Sequence, residues 1–163
     1  MPEIRVFVSW SGKESKRVAK RIKELLPGIV PNVKAFFSPE IRPGEEWARR
    51  ISEVINQSQF ALLCVTRGNL DSQWLNFEAG ALWKASRGTP VCPLLLDLPV
   101  GKLRGPLKLF QAKRFRKGEF RDICEDLAKK TRMNPDQVGI NFNAIWPKLE
   151  KDVLRELKRS RKR

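Results

Sequence analysis

The run "FALLCVT" at residues 60–66 constrains the fold of this chain more than any other segment. It is apolar up to its last residue, so it lacks the alternation of a strand that has one face in water. Such a run is typical of the centre of a parallel sheet, where helices cover both faces. The segment therefore predicts a layered α/β domain with residues 60–66 as a central strand.

The segments around this run alternate between strand-like and helix-like patterns. Strands are predicted at 4–10, 33–38, 60–66 and 89–97, with a weak fifth near 110–115, and helices at 11–28, 45–58, 72–86, 119–131 and from about 143 onward. Residues 67–73 are predicted as a loop. This order predicts a doubly wound α/β fold with a parallel sheet.

Local signals predict where these elements begin and end. Ser11 and Glu14 have the spacing of a capping box at the start of the first helix, and Pro27-Gly28 is expected to end it. The proline in "TPVCPLLLD" favours an edge position, or a position near a strand end, for the fourth strand. In the last helix, the predicted core face comprises Phe142, Ile145, Trp146, Leu149, Val153 and Leu157.

Length and composition predict a single domain, residues 1–155, followed by a basic tail, residues 156–163. The chain contains no apolar stretch long enough to span a membrane, and its N-terminus lacks the pattern of a signal peptide. Cys64, Cys92 and Cys124 lie inside apolar runs, so we expect reduced core thiols. These features favour a cytoplasmic protein without a membrane partner.

The net charge of +15 suggests an anionic partner, although its distribution weakens that argument. The terminal segment "RELKRSRKR" holds +5 of this charge, and the remaining basic residues are scattered along the helices. No nucleic-acid-binding motif and no glycine-rich phosphate loop is present, so nucleic acid is an unlikely partner. The chain has no histidine and no clustered ligand set, which argues against a metal site.

The helix predicted within "SQWLNFEAGALWKAS", residues 72–86, places Glu78 among apolar residues at the edge where the strands end. Trp74 and Glu78 are four residues apart and therefore lie on one helix face. An aromatic ring beside a carboxylate suits a ligand with a flat base and a sugar. The alternative is structural: Glu78 would lie on the helix surface and Trp74 would anchor the core.

The lack of histidine and of an obvious second catalytic acid limits the reactions that Glu78 could support. Ordinary glycoside cleavage uses a pair of carboxyl groups, one of which protonates the leaving oxygen. Cleavage of the nicotinamide–ribose bond of NAD+ needs no such acid, because nicotinamide leaves as a neutral molecule. A single carboxylate that stabilises an oxocarbenium-like ribose could suffice.

Three segments in this order carry a family resemblance: "RVFVSWSGKES", "FSPEIRPGEEW" and "FALLCVTRGNLDSQWLNFEAGAL". Together they resemble a TIR (Toll/interleukin-1 receptor) domain, particularly the prokaryotic kind. The resemblance covers residues 4 to about 97, and its most specific part is W-x-x-x-E at Trp74–Glu78 after an apolar strand. After "FVSW" the chain has "SGK", where many relatives carry an aspartate or arginine.

The resemblance implies an α/β, flavodoxin-like three-layer fold with a central parallel sheet of about five strands. It implies NAD+ nucleosidase activity with Glu78 as the catalytic residue and NAD+ as the substrate, without a cofactor. The implied substrate-binding residues are Trp74, Ser9, Trp10, Ser11, Ser38, Arg42 and Trp47. The BB loop, residues 38–44, would also mediate assembly through Ile41, Pro43 and Gly44.

Several of these residues also have a structural interpretation. Trp47 shares a helix face with Ile51 and Val54, so it could belong to the core. Ser11 could act first as a helix cap, and Arg42 could be solvated. Pro43 and Gly44 form turns in many contexts.

The resemblance also implies a biological setting. Standalone prokaryotic TIR proteins of the Thoeris type act in antiphage defence, where a product such as a cyclic or conjugated ADP-ribose activates a separate effector. Self-association through TIR–TIR contacts is expected. The alternative function is a non-catalytic TIR scaffold that binds other TIR domains through its BB loop.

Overall fold

A computed structural model describes residues 2–37, 45–72, 83–84 and 86–161 of the chain. The side chains of residues 45, 47, 48, 71, 72, 160 and 161 are not part of this description. The predicted helix around Glu78 and the predicted BB loop lie outside the described residues.

The described strands form one all-parallel sheet with the order β2-β1-β3-β4-β5. The strands are β1 (Ile4–Ser9), β2 (Val33–Phe36), β3 (Phe60–Val65), β4 (Val91–Leu95) and β5 (Lys113–Arg114). Every residue of β3 is buried, as its continuous apolar pattern predicts. The sheet confirms the predicted flavodoxin-like α/β fold, including a weak fifth strand.

Helices cover both faces of this sheet. They are α1 (Lys13–Ile29), α2 (Glu45–Asn56), α3 (Arg67–Ser72), α4 (Lys117–Thr131) and α5 (Pro135–Arg161), with short 3-10 helices at Val100–Lys102 and Gly105–Leu109. One core layer joins the sheet to α1, α4 and α5. The other joins it to Ile51 and Ile55 of α2 and to apolar residues from the segment after β4.

Helix α1 starts two residues later and ends one residue later than predicted. The helix begins at Lys13 after Gly12, without a side-chain cap, so Ser11 is not the capping residue. It continues through Pro27 to Ile29 because Leu26 and Ile29 are fully buried in the core. Gly28 packs against α5, where an added Cβ atom would meet Ile145 Cδ1.

The position of Pro93 also differs from the prediction. Strand β4 is internal, between β3 and β5. Residues two apart in a strand point their N–H groups to the same side, and the N–H of Leu96 points to β3. The missing N–H of Pro93 therefore faces the β5 side, where pairing covers only Leu94 and Leu95. The proline avoids the cost of a lost ladder hydrogen bond in this way.

Two further helix predictions need correction. Residues 67–72, predicted as loop, form α3, and α5 begins at Pro135 rather than near Asn143. The predicted core face of α5 is confirmed, with five of its members buried and Ile145 partly buried against them. The division between a domain ending at 155 and a tail stays a prediction, although α5 passes through this point and Leu157 is buried.

The three cysteines are free and buried, as predicted. Burial raises the pKa of Cys64 and of Cys92 to about 12, and it also raises the pKa of Cys124. Within the described ranges, no helix combines the length and the apolar character needed to cross a membrane.

Four aromatic rings meet where α4 and α5 pack on the end of β5. The ring of Trp146 lies 5.0 Å from that of Phe115, 5.7 Å from that of Phe120 and 5.5 Å from that of Phe142, measured between centroids. Trp146 is 3% exposed. Aromatic contacts of this kind add to the free energy gained by burying the rings.

We expect Trp146→Ala to lower the free energy of unfolding by about 3–5 kcal/mol, because it leaves a cavity among three rings. Urea denaturation followed by circular dichroism measures this loss. Lys148→Ala, on the exposed side of the same helix, should change stability by less than about 0.5 kcal/mol. Similar stability losses in the two variants would contradict the assignment of Trp146 to the core.

Candidate functional site

The carboxyl ends of β1, β2 and β3 meet at one edge of the sheet. Strand β1 lies between β2 and β3 in the sheet, so the strand order reverses direction at β1. The loop after β1 therefore starts at the topological switch point, where ligands bind in open α/β sheets. We call residues 9–12 the first loop.

The first loop carries three polar groups that have no hydrogen-bond partner in the part of the chain that the structure describes. Ser9 is completely buried, Ser11 is 4% exposed, and Trp10 is partly buried. The hydroxyls of both serines and Nε1 of Trp10 are buried and have no hydrogen-bond partner among the described residues. A buried donor without a partner typically costs about 1–3 kcal/mol. A ligand that accepts these hydrogen bonds would remove that cost.

The backbone of the first loop is fixed by local contacts. Gly12 has a φ of 89°, a backbone angle that residues other than glycine rarely adopt. The N–H of Ser11 donates to Ser15 Oγ at 2.7 Å, and the Ser15 hydroxyl donates to the Ser11 carbonyl at 2.7 Å. Ser15 thus accepts the hydrogen bond from the Ser11 N–H that a capping box assigns to Glu14, and the Ser11 hydroxyl makes no capping contact.

Aromatic rings and lysines flank the first loop. Trp10 meets Phe37 edge to face, with centroids 6.4 Å apart. Lys16 Nζ lies 4.9 Å from the Trp10 ring, and Lys23 Nζ lies 4.6 Å from the Phe37 ring. The two lysines bring positive charge to this end of the sheet, which favours a ligand that carries phosphate.

Asn69 connects the first loop to the end of β3. Its N–H donates to Thr66 Oγ1 at 3.1 Å, and its Oδ1 accepts from the N–H of Thr66 at 2.9 Å, which caps α3 reciprocally. Its Nδ2 donates to the carbonyls of Cys64 at 2.9 Å and Ser11 at 3.3 Å. One side chain, 3% exposed, therefore holds two strand ends and the helix that leads toward Trp74.

A second contact fixes the start of α3. The N–H of Arg67 donates to Asp97 Oδ1 at 2.8 Å, so the segment after β4 also holds this helix. The loops after β1, β3 and β4 are thereby connected through α3. These contacts give the segment that continues to Glu78 a defined starting point.

The structure brings three predicted site residues together: Ser9, Trp10 and Ser11. The other predicted residues lie outside the described part of the chain, namely Ser38, Ile41, Arg42, Pro43, Gly44, Trp74 and Glu78. The backbone of Trp47 belongs to α2, and its side chain is not described. The functional roles of all these residues remain predictions.

Sequence reasoning missed Asn69 and Ser15. The T-x-x-N spacing of Thr66 and Asn69 is a capping signal that could have predicted α3. The contact from Asn69 to Ser11 joins residues 58 positions apart, and no local pattern encodes it.

The sequence of this chain matches that of a known protein family. Residues 6–128 match the TIR domain family, and this range spans more than half of the chain. The chain belongs to the TIR domain family. No curated protein matches its sequence.

Two solved structures show similarity to this TIR protein. The TIR domains of the activated Roq1 resistosome, which directly recognises the pathogen effector XopQ, align with 18% identity and a TM-score of 0.44, over 93% of this chain and 84% of that one. The diflavin flavoprotein A3 from Nostoc sp. aligns with 15% identity and a TM-score of 0.38, over 94% of this chain and 97% of that one.

We expect Asn69→Ala to loosen the first loop, because the carbonyls of Ser11 and Cys64 lose a buried donor. The loss of stability should be about 1–3 kcal/mol, and amide hydrogen exchange over residues 9–16 should become faster. Asn69→Asp keeps an oxygen for the Thr66 N–H but offers no donor to the two carbonyls, so it should not restore protection. Asn56→Ala, at an exposed position, is the control. Unchanged exchange in Asn69→Ala would show that another contact holds the loop.

Proposed function

We propose that this TIR protein cleaves the nicotinamide–ribose bond of NAD+, with Glu78 as the catalytic carboxylate. The observation that carries the proposal is the set of three buried, unpartnered donors on the first loop, at the switch point of the sheet. A nucleotide ligand offers ribose and phosphate oxygens that accept such hydrogen bonds. The W-x-x-x-E motif at Trp74–Glu78 supports the proposal because it follows α3 directly in the sequence, and α3 begins at the same edge.

Each residue has a defined role in this proposal. The hydroxyls of Ser9 and Ser11 and the indole N–H of Trp10 donate to oxygens of the dinucleotide and orient it. Trp74 provides an aromatic surface for a base. Glu78 stabilises the positive charge that develops on the ribose as the bond to nicotinamide lengthens.

The reaction balances without a cofactor. When the C–N bond breaks, the nicotinamide nitrogen takes the bonding pair and loses its positive charge. Water then forms the new bond to the ribose carbon and releases a proton, which gives ADP-ribose. If a nitrogen or hydroxyl of another group replaces water, the product is a cyclic or conjugated ADP-ribose.

We extend the proposal to a setting in which the product acts as a signalling nucleotide. The prokaryotic character of the motifs favours antiphage defence of the Thoeris type, with a separate effector that binds the product, in the cytoplasm. The alternative function is a non-catalytic scaffold that binds other TIR domains through residues 38–44. A scaffold does not require the carboxylate of W-x-x-x-E, so the motif favours the enzyme.

We expect Glu78→Gln to reduce nicotinamide release from NAD+ by about 10²–10³-fold, because the amide carries no charge to stabilise the ribose cation. The measurement is nicotinamide production by the purified protein, with mass spectrometry of the second product. Glu53→Gln changes an exposed carboxylate of α2 in the same way and should retain activity. Equal activity of wild type and Glu78→Gln would remove Glu78 from the catalytic role, and inactivity of the wild type at every concentration would favour the scaffold.

We expect specific activity to rise with protein concentration, because TIR–TIR contacts would complete the site. Ile41→Asp should flatten this rise by placing a charge in the contact, whereas Val100→Asp, an equivalent change at an exposed valine elsewhere, should not. Turnover per molecule across serial dilutions, with light scattering at each concentration, measures the effect. Activity that is independent of concentration in all three proteins would mean that one protomer holds the whole site.

A further inference from the structure

The exposed side of α5 carries a stripe of basic side chains. Lys151, Arg155, Lys158 and Arg159 are all exposed, and with Leu154 they line a groove of about 580 Å³. Their spacings of three, four, seven and eight residues place them on one helix face. We call these four cations the α5 stripe.

The α5 stripe differs from the paired basic residues of other helices because four cations lie together on one helix face without an ion pair among the described residues. Elsewhere, arginines pair with acids on their own helices, as in Arg21–Glu24, Arg50–Glu53 and Arg121–Glu125. No stripe cation makes an ion pair or hydrogen bond with a residue in the described ranges. The nearby carboxylate of Glu156 points the other way and binds Arg17 of α1 at 2.8 Å.

The arrangement of the stripe is unfavourable for the isolated helix. Lys151, Arg155 and Arg159 follow one another at intervals of four residues, where like charges repel. An anionic partner would convert this repulsion into attraction. The helix rises about 1.5 Å per residue, so these three cations span about 12 Å. A nucleic-acid duplex carries one negative charge per about 1.7 Å of its axis and can therefore face every cation of the stripe.

We propose that the α5 stripe binds the phosphate backbone of double-stranded nucleic acid without sequence preference. The stripe offers ammonium and guanidinium groups for phosphates, and neither the stripe nor the adjacent Leu154 supplies an amide side chain or an aromatic ring for base recognition. An anionic bilayer fits less well, because a helix that lies in a membrane interface needs a free apolar face. The apolar face of α5 is already buried in the core through Trp146, Leu149 and Val153. This proposal does not depend on NAD+ cleavage.

The test is binding of a labelled mixed-sequence DNA duplex to the full chain, followed by fluorescence anisotropy at several salt concentrations. Four phosphate contacts predict that log K falls with log salt with a slope of about −3 to −4. The double variant Lys151→Glu/Arg155→Glu should bind at least about tenfold more weakly at low salt, with a slope shallower by about 2. The milder pair Lys151→Gln/Arg155→Gln should lie between this variant and the wild type, and circular dichroism confirms that each protein is folded.

The matched control is Lys102→Glu/Lys108→Glu, which lowers the net charge by the same amount at exposed positions outside the stripe. It should lose less than about threefold in affinity. Equal losses in the two double variants would overturn the proposal in favour of a general charge effect. Loss of binding only on removal of residues 160–163 would assign it to the terminal residues instead. Stripe-dependent binding to vesicles that contain phosphatidylserine, without binding to DNA, would assign the stripe to a membrane surface.

Discussion

The side chains of β3 enter the two core layers alternately: Phe60, Leu62 and Cys64 on one face, and Ala61, Leu63 and Val65 on the other. A strand buried in this way needs helices on both sides, and only crossover connections allow its neighbours to be parallel. Parallel strands in turn end at one edge. The carboxyl ends of β1, β2 and β3 are therefore neighbours in space, although they are far apart in sequence, and this edge contains the candidate site.

Asn69 fixes the position of the first loop relative to the end of β3 and the start of α3. It holds the carbonyls of Ser11 and Cys64 with one amide while its oxygen and N–H cap α3, so the first loop and the start of the next segment move together. The groups without a hydrogen-bond partner among the described residues are the hydroxyls of Ser9 and Ser11 and the indole N–H of Trp10, none of which holds the loop. A site that keeps unpartnered donors in place needs such support, because loops without it would rearrange to satisfy them.

Periodicity predicted the elements of the core and much of the fold, since burial imposes a pattern on β3 and on Phe142 through Leu157 that survives in the sequence. The errors occurred where long-range packing overrides local signals. Pro27 and Gly28 are stop signals locally, yet burial of Leu26 and Ile29 against α5 extends the helix past them. Ser11 and Glu14 match a capping box, yet Gly12 occupies the N-cap position with a positive φ, and Ser15 Oγ instead of Glu14 accepts from the Ser11 N–H. The three unpartnered donors could be predicted as site residues only through the family resemblance.

The net charge of +15 is spread over the chain, but the α5 stripe concentrates four of its cations on one helix face. The α5 stripe belongs to the layer formed with α1 and α4, whereas α2, which follows residues 38–44, packs on the opposite face of the sheet. A contact between protomers through residues 38–44 therefore need not bring two stripes together. Salt screens the repulsion between charges over about 8–10 Å at physiological ionic strength. A stripe on the face of the sheet opposite to α2 therefore opposes a contact on the α2 side only weakly. A duplex bound to the stripe would then affect assembly mainly by gathering protomers along its length, rather than by neutralising charge at the contact itself.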